Sequence, residues 1–219
     1  MRLQFKFSKE GLLRFISHLD VQRLFIRAFR RAELPVARKG GFSPQPKMSF
    51  ASALPLGYTS SGEFLEVELT QSMDTAEVKK RLSSQLPDGI HVSQVEEISL
   101  DKPSLMSRLE SAIYRVAFTT AEPLEEKKLK DAVDHLLNRE EAVIVRRSKK
   151  KVKRFNVIPF ILNIEVLPTN HKFQKEMRLH LKSGQGGSVK PLEILDLLEK
   201  EDSFEIMKKE AHREELLID

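Results

Sequence analysis

FISHLDVQRLFIRAFRRAELPVARKGGFSPQPKMSFASALPLG, residues 15–57, holds the least generic residues of the chain. Ser17 stands three residues before Asp20, the Ser-x-x-Asp form of a capping box, so a helix is expected to begin there. Val21, Leu24, Phe25, Ala28, Phe29 and Ala32 then recur at spacings of three and four, which makes one apolar stripe for a core. The opposite face carries Arg23, Arg27, Arg30 and Arg31. Like charges one turn apart repel, so this ridge calls for an anionic partner or for water. Pro35 ends the helix, and residues 38–47 follow without apolar periodicity, as expected of an exposed basic loop with free backbone amides.

Outward from this stretch, residues 2–7 alternate polar and apolar with the period of a half-buried strand. Residues 48–53 and 64–69 read as strands, 74–86 as a helix closed by Pro87, Asp88 and Gly89, and 91–98 as a strand. Strand, helix, strand, strand, helix, strand is the order of the split β-α-β unit. The second half repeats it with an extra pair: a strand at 112–119, a helix at 124–137, and two arms at 142–145 and 152–157 joined through a basic run. A hairpin of 160–167 and 172–182, a helix at 191–200 and a last strand at 204–209 follow, with the final residues expected to be loosely held. The reading is an α+β fold of two ferredoxin-like units in tandem, residues 1–100 and 101–219, linked at about 99–111, where a helical turn at 105–110 would blur the boundary.

With 219 residues and 40% hydrophobic content the chain can bury a core. It has no cysteine, which excludes disulfides, thiolate zinc sites, iron–sulfur ligation and cysteine nucleophiles, and makes a reducing cytoplasm the simplest home. No stretch approaches the roughly 20 apolar residues of a membrane span, and the N-terminal MRLQFKFSKEG lacks a signal-peptide core. The net charge of +5 is unevenly spread: +8 over residues 1–60 and +10 over 146–190, against −7 over 61–145 and −6 over 191–219. Two basic blocks of this kind attract polyanions, or serve as solvated faces.

The helix arginines offer planar, bidentate donors matched to phosphate; the alternative is pairing of Arg30 and Arg31 with nearby acids such as Glu33. In the loop, Arg38, Lys39 and Lys47 add charge, and Gly40 and Gly41 let backbone amides approach an anion. Phe42 would stack on a base if exposed, but an aromatic in a long connection is expected to plug the core. Residues 146–154, RRSKKKVKR, hold seven basic residues in nine: Arg146, Arg147, Lys149, Lys150, Lys151, Lys153 and Arg154. In a hairpin they form a basic finger for nucleic acid, with steep salt dependence, or a surface for docking protein. The glycine-rich 183–191 is expected to be a plain turn into a helix, since it lacks the P-loop ending and the G-x-G-x-x-G spacing. The six histidines show no metal-ligand spacing, and no motif calls for a cofactor. His18, just after the helix N-cap, would be kept neutral by the helix dipole. With Asp20 it is a candidate for acid–base chemistry on a phosphodiester, the alternative being a structural hydrogen bond.

Ser17-His18-Leu19-Asp20, the arginine helix and the loop Gly41-Phe42-Ser43-Pro44-Gln45-Pro46-Lys47 together resemble the radical-SAM-linked domain, a bacterial domain of unknown function. That domain occurs C-terminal to cobalamin-binding radical SAM proteins or as a separate short protein. The likeness covers the whole chain, more weakly at residues 64–67, 86–90 and 188–191. Family members often carry Asn and His where this chain has Ser43 and Gln45. The resemblance implies a radical SAM protein as a partner in trans. A looser likeness, of architecture and residue style, is to CRISPR RNA-processing endonucleases. The expected function is therefore a non-enzymatic RNA-binding module or adaptor in RNA modification or processing. A metal-independent endoribonuclease using His18 is the alternative, and a protein-interaction partner of a radical SAM enzyme a third.

Overall fold

The computed structural model describes residues 1–147, 152–184, 186–201 and 204–219. The chain forms an α+β fold of two units, Met1–Leu109 with Ile218–Asp219, and Glu110–Leu217.

The first unit begins with β1 (Arg2–Lys9), a 3-10 turn at Gly11–Phe15 and α1 (His18–Arg31). Then come a short hairpin, β2 (Arg38–Lys39) and β3 (Gln45–Pro46), the strands β4 (Met48–Phe50) and β5 (Thr59–Glu68), α2 (Thr75–Ser83), β6 (Ile90–Ile98) and α3 (Leu105–Arg108). β4 pairs with β5, β5 with β1 and β1 with β6, all antiparallel, and Phe5 stands opposite both Leu65 and Val95. α3 occupies the stretch that reads as a linker and belongs to the first unit.

α1 begins and ends by identifiable chemistry. Ser17 Oγ accepts the Asp20 N–H at 3.2 Å and donates to the Asp20 carboxylate at 2.6 Å. At the other end Glu33 takes a left-handed φ of 53°; its N–H reaches Arg30 O at 3.2 Å and that of Leu34 reaches Phe29 O at 3.1 Å. This is the Schellman pattern, with glutamate in the place usually given to glycine. Between the ends, Val21, Phe25, Ala28, Phe29 and Ala32 are buried, and Leu24 is partly so. Phe25 and Phe29 meet Phe7 and Phe5 edge-on at 4.9 and 5.6 Å. Each fully buried Phe contributes about 1.5–3 kcal/mol, so this face fixes α1 and thereby aims its arginines outward.

Charge also enters this core. Glu66 on β5, 2% exposed, takes hydrogen bonds from Arg2 and from Arg108, itself 5% exposed. Arg108 is further held by Pro103 O at 3.2 Å, Gln4 Oε1 at 3.1 Å and the Asp219 carbonyl at 3.0 Å.

The second unit contains β7 (Leu109–Thr120), α4 (Glu126–Leu137), β8 (Val143–Arg147), β9 (Val152–Asn156), β10 (Ile161–Leu167), β11 (Gln174–Lys182), α5 (Pro191–Glu201) and β12 (Ile206–Ile218). Its sheet runs β10, β11, β7, β12 in space, while β8 and β9 form a separate two-stranded ribbon. α4 buries Leu129, Val133 and Leu136, and α5 buries Ile194, Leu195 and Leu198.

One expectation is overturned here. The end of the chain is not loosely held: it forms the 13-residue β12, where Glu214 bonds Arg115 at 2.9 Å and Arg178 at 2.8 Å. Burial pushes the Glu214 carboxyl up, but the two guanidinium hydrogen bonds outweigh it and hold the group below the ordinary glutamate range. Among the described residues no helix is long and apolar enough to cross a membrane.

Candidate functional site

Because α1 turns its apolar stripe inward, its arginines line the outer face, yet they are not equivalent. Arg23 pairs with Asp20 at 3.3 Å, and Arg31 donates to Gln85 O at 2.5 Å. The Ser17 hydroxyl, with help from Arg23, holds the Asp20 carboxyl below its usual range. Arg27 and Arg30 make no hydrogen bond or ion pair among the described residues. Both line a cleft of about 400 Å³, where Arg38 joins them from β2. The apolar walls are Ile26, Phe29, Leu34, Pro35, Val36 and Pro46. Three guanidinium groups beside apolar walls suit a ligand that is anionic at one end and apolar at the other. Glu33 is not paired with Arg30 or Arg31 by any ion pair among the described residues.

The segment read as an open loop is a small hairpin instead, Arg38 standing opposite Pro46 and Lys39 opposite Gln45. Arg38 donates to Pro44 O at 3.3 Å and Lys47 pairs with Glu68 at 2.7 Å. Phe42, expected in the core, is fully exposed at the hairpin tip, because two residue pairs are too few to fold the ring back. Gly40 at φ 98° makes the turn that sends it outward.

His18 is half-buried as the first residue of α1. Its ring lies edge-on to Phe50 at 5.1 Å, with Gln22 Nε2 at 3.0 Å from its Nε2. It also faces a cavity of about 10 Å³ shared with Lys9, Ser52 and Glu63. That volume holds about one water and no phosphodiester. Lys9 is buried, donates to Ile16 O at 3.1 Å, and has its pKa lowered by burial against the opposing pull of Glu63. The sequence reading missed this buried pair. Among the described residues no cluster of three or more His, Asp or Glu side chains is placed to hold a metal ion.

In the second unit, Arg146 is not displayed as a phosphate donor. It forms a two-point bridge to Glu193, at 2.9 and 2.7 Å, donates to Ser188 O at 2.8 Å and lies 4.3 Å from the Phe155 ring. Glu193 also accepts the Lys190 N–H at 2.8 Å, so the N-terminus of α5 finds its anion within the chain. Register places Arg146 and Lys153 opposite one another, and puts Val145, Arg147, Val152 and Arg154 on the other side of the ribbon. Arg147, Lys153 and Arg154 are exposed, with Val145 at 52% and Val152 at 68% between them. Lys149, Lys150 and Lys151, like Gln185 of the glycine-rich turn, lie outside the described residues.

Among solved structures, the chain is similar to one in a Cbf5-Nop10-Gar1 complex, with 12% identity and a TM-score of 0.46 over 97% of this chain and 49% of that one. It is also similar to one in the archaeal box H/ACA sRNP Nop10-Cbf5 complex, with 8% identity and a TM-score of 0.48 over 96% and 46%. It thus spans about half the length of each. An unknown protein from Galdieria sulphuraria gives 14% identity and a TM-score of 0.26 over 99% and 98%. No curated protein matches the sequence. Residues 2–191, from β1 to the first residue of α5, match the family described as uncharacterized protein conserved in bacteria (DUF2344), and the chain belongs to that family.

Proposed function

We propose that this protein is a non-enzymatic RNA-binding module that grips phosphates and serves RNA modification or processing. The observation that carries this reading is the cleft of α1, where Arg27, Arg30 and Arg38 meet around apolar walls. Three cations gathered at one cleft, none of them paired with an acid among the described residues, repel one another until an anion arrives. Arg31 and Lys39, on the same helix and hairpin, add further exposed cations, whereas Arg23 and Lys47 are balanced by Asp20 and Glu68; Arg147, Lys153 and Arg154 supply a second set of exposed donors in the other unit. Each unit reads as ferredoxin-like. In the first, the order β6, β1, β5, β4 supports this, and in the second the order β12, β7, β11, β10, both fourth-first-third-second along the chain. The likeness of residues 17–47 to the radical-SAM-linked domain supports a radical SAM protein in trans as the enzyme served.

Filter binding of RNA across a salt series tests the proposal. Each phosphate contact on a single strand contributes about 0.7 to the slope of log affinity against log salt. Replacing Arg27, Arg30 and Arg38 together by Ala should flatten that slope by about 2. All three are exposed, so the variant keeps its core. RNA affinity that ignores salt, or that the triple variant retains unchanged, refutes the assignment.

A further inference from the structure

Phe42 is a fully exposed aromatic ring at the end of a hairpin whose strands are only two residues each. Leaving such a ring in water forgoes about 1.5–3 kcal/mol of burial, so nothing in the packing of the first unit holds it there. The strand that leads to it carries the exposed cations Arg38 and Lys39, and Lys47, which pairs with Glu68, follows it. A Cβ added at Gly41 would meet nothing within 4 Å, so the tip is open on the side next to Phe42 as well. An exposed ring among cations has the chemistry of a base-stacking platform: every nucleobase has a π-face, and the flanking charges meet its phosphates.

The cleft of α1 lies at the base of the same hairpin, through Arg38 and Pro46. At about 400 Å³ it is the size of a small-molecule pocket, suited to one unstacked nucleotide and not to a double helix. Pro35, Val36 and Pro46 provide a wall for a base, and Arg27, Arg30 and Arg38 a rim for phosphate. Phe42 is four residues from Arg38, at most about 14 Å even for fully extended chain, so one strand of a few nucleotides reaches both. A duplex keeps its bases stacked on one another and offers no ring face to Phe42.

We infer that the RNA taken by this site is single-stranded, with one nucleotide seated in the α1 cleft and a neighbouring base stacked on Phe42; this rests on the RNA-binding reading above. The chain has no tryptophan, so Phe42→Trp places a sole indole at the contact. A short oligouridylate should quench that indole on binding, and an RNA duplex of the same length should bind more weakly and leave it bright. Phe42→Ala should weaken oligouridylate binding roughly 5- to 150-fold, the range for one base on one aromatic, with the salt slope unchanged. Phe42→Tyr should bind as the parent does, and Arg27→Ala should lower the slope by about 0.7. Oligouridylate bound with the parent salt slope but no quenching, or bound equally by Phe42→Ala, overturns the stacking site while leaving RNA binding intact. Duplex preferred over single strand does the same. Loss of a copurifying protein in Phe42→Ala, with RNA affinity unchanged, assigns the ring to protein docking and also overturns it. No RNA bound at low salt overturns both readings together.

Discussion

Replacing Glu66 by Gln keeps the size of the side chain and removes its charge, which leaves Arg2 and Arg108 without their shared counterion. Removing one partner of a buried ion pair costs about 3–5 kcal/mol. Here the low end applies. Arg108 keeps the Pro103, Gln4 and Asp219 oxygens at 3.0–3.2 Å, Arg2 keeps Lys102 O at 2.7 Å, and only the charge goes uncompensated. About 3 kcal/mol is a large part of the roughly 5–15 kcal/mol that holds a domain folded. With a urea dependence near 2 kcal/mol per molar, the midpoint of the first unit should fall by about 1.5 M. The two tyrosines, Tyr58 and Tyr114, lie one in each unit, so Tyr58 emission in a Tyr114→Phe background reports the first unit alone. Converting Arg2, Glu66 and Arg108 together to Met should restore most of the loss, because a buried triad replaced by apolar groups of similar volume is close to neutral. An unchanged midpoint in Glu66→Gln would refute the reasoning, since it would mean that water already screens the triad.

Glu33→Gly should stabilise the first unit by about 1 kcal/mol, because glycine accepts the φ of 53° without the clash a Cβ brings; thermal unfolding measures it, and Glu33→Val should move the other way. Glu214 gives the second unit an acid dependence. Its folded pKa is depressed below the ordinary 4.5, so its contribution is full above that value and is lost as pH falls through the lower folded one. Glu214→Gln should therefore be less stable than the parent at pH 7, the two converging in strong acid; a constant gap across an acid titration would argue against the Arg115–Glu214–Arg178 bridge.

α1 is legible in the sequence because its signals are local. The cap is three residues long, the apolar stripe recurs within one turn, and Pro35 marks the exit. The strands near the N-terminus are legible because they alternate. β12 is legible only at its start, where a strand at 204–209 is expected; its continuation to Ile218 is not, for IMKKEAHREELLI carries charge on both faces, and the pairing of Glu214 with Arg115 and Arg178 across the sheet cannot be read from that stretch alone. Phe42 misleads because hydrophobicity argues for burial, while hairpin length, which decides the matter, cannot be read from residue type. Arg146 misleads in the opposite sense: within a run of cations it looks like its neighbours, and only its Glu193 partner, 47 residues away, sets it apart. Buried Lys9, Glu63, Glu66 and Arg108 are hidden for the same reason. The arginine ridge was visible as a row, but the cleft that gathers Arg27, Arg30 and Arg38 depends on where the chain returns after Pro35.

The first unit includes Ile218–Asp219, and Arg108 both donates to the Asp219 carbonyl and accepts its N–H, each at 3.0 Å. This has a consequence in time. The second unit, Glu110–Leu217, is continuous and has all its residues before those two are made. The first unit, though translated first, waits on the order of ten seconds at ordinary ribosomal speed for the residues that complete the surroundings of Arg108. The unit that leads in translation therefore has all its residues no earlier than the unit that follows it.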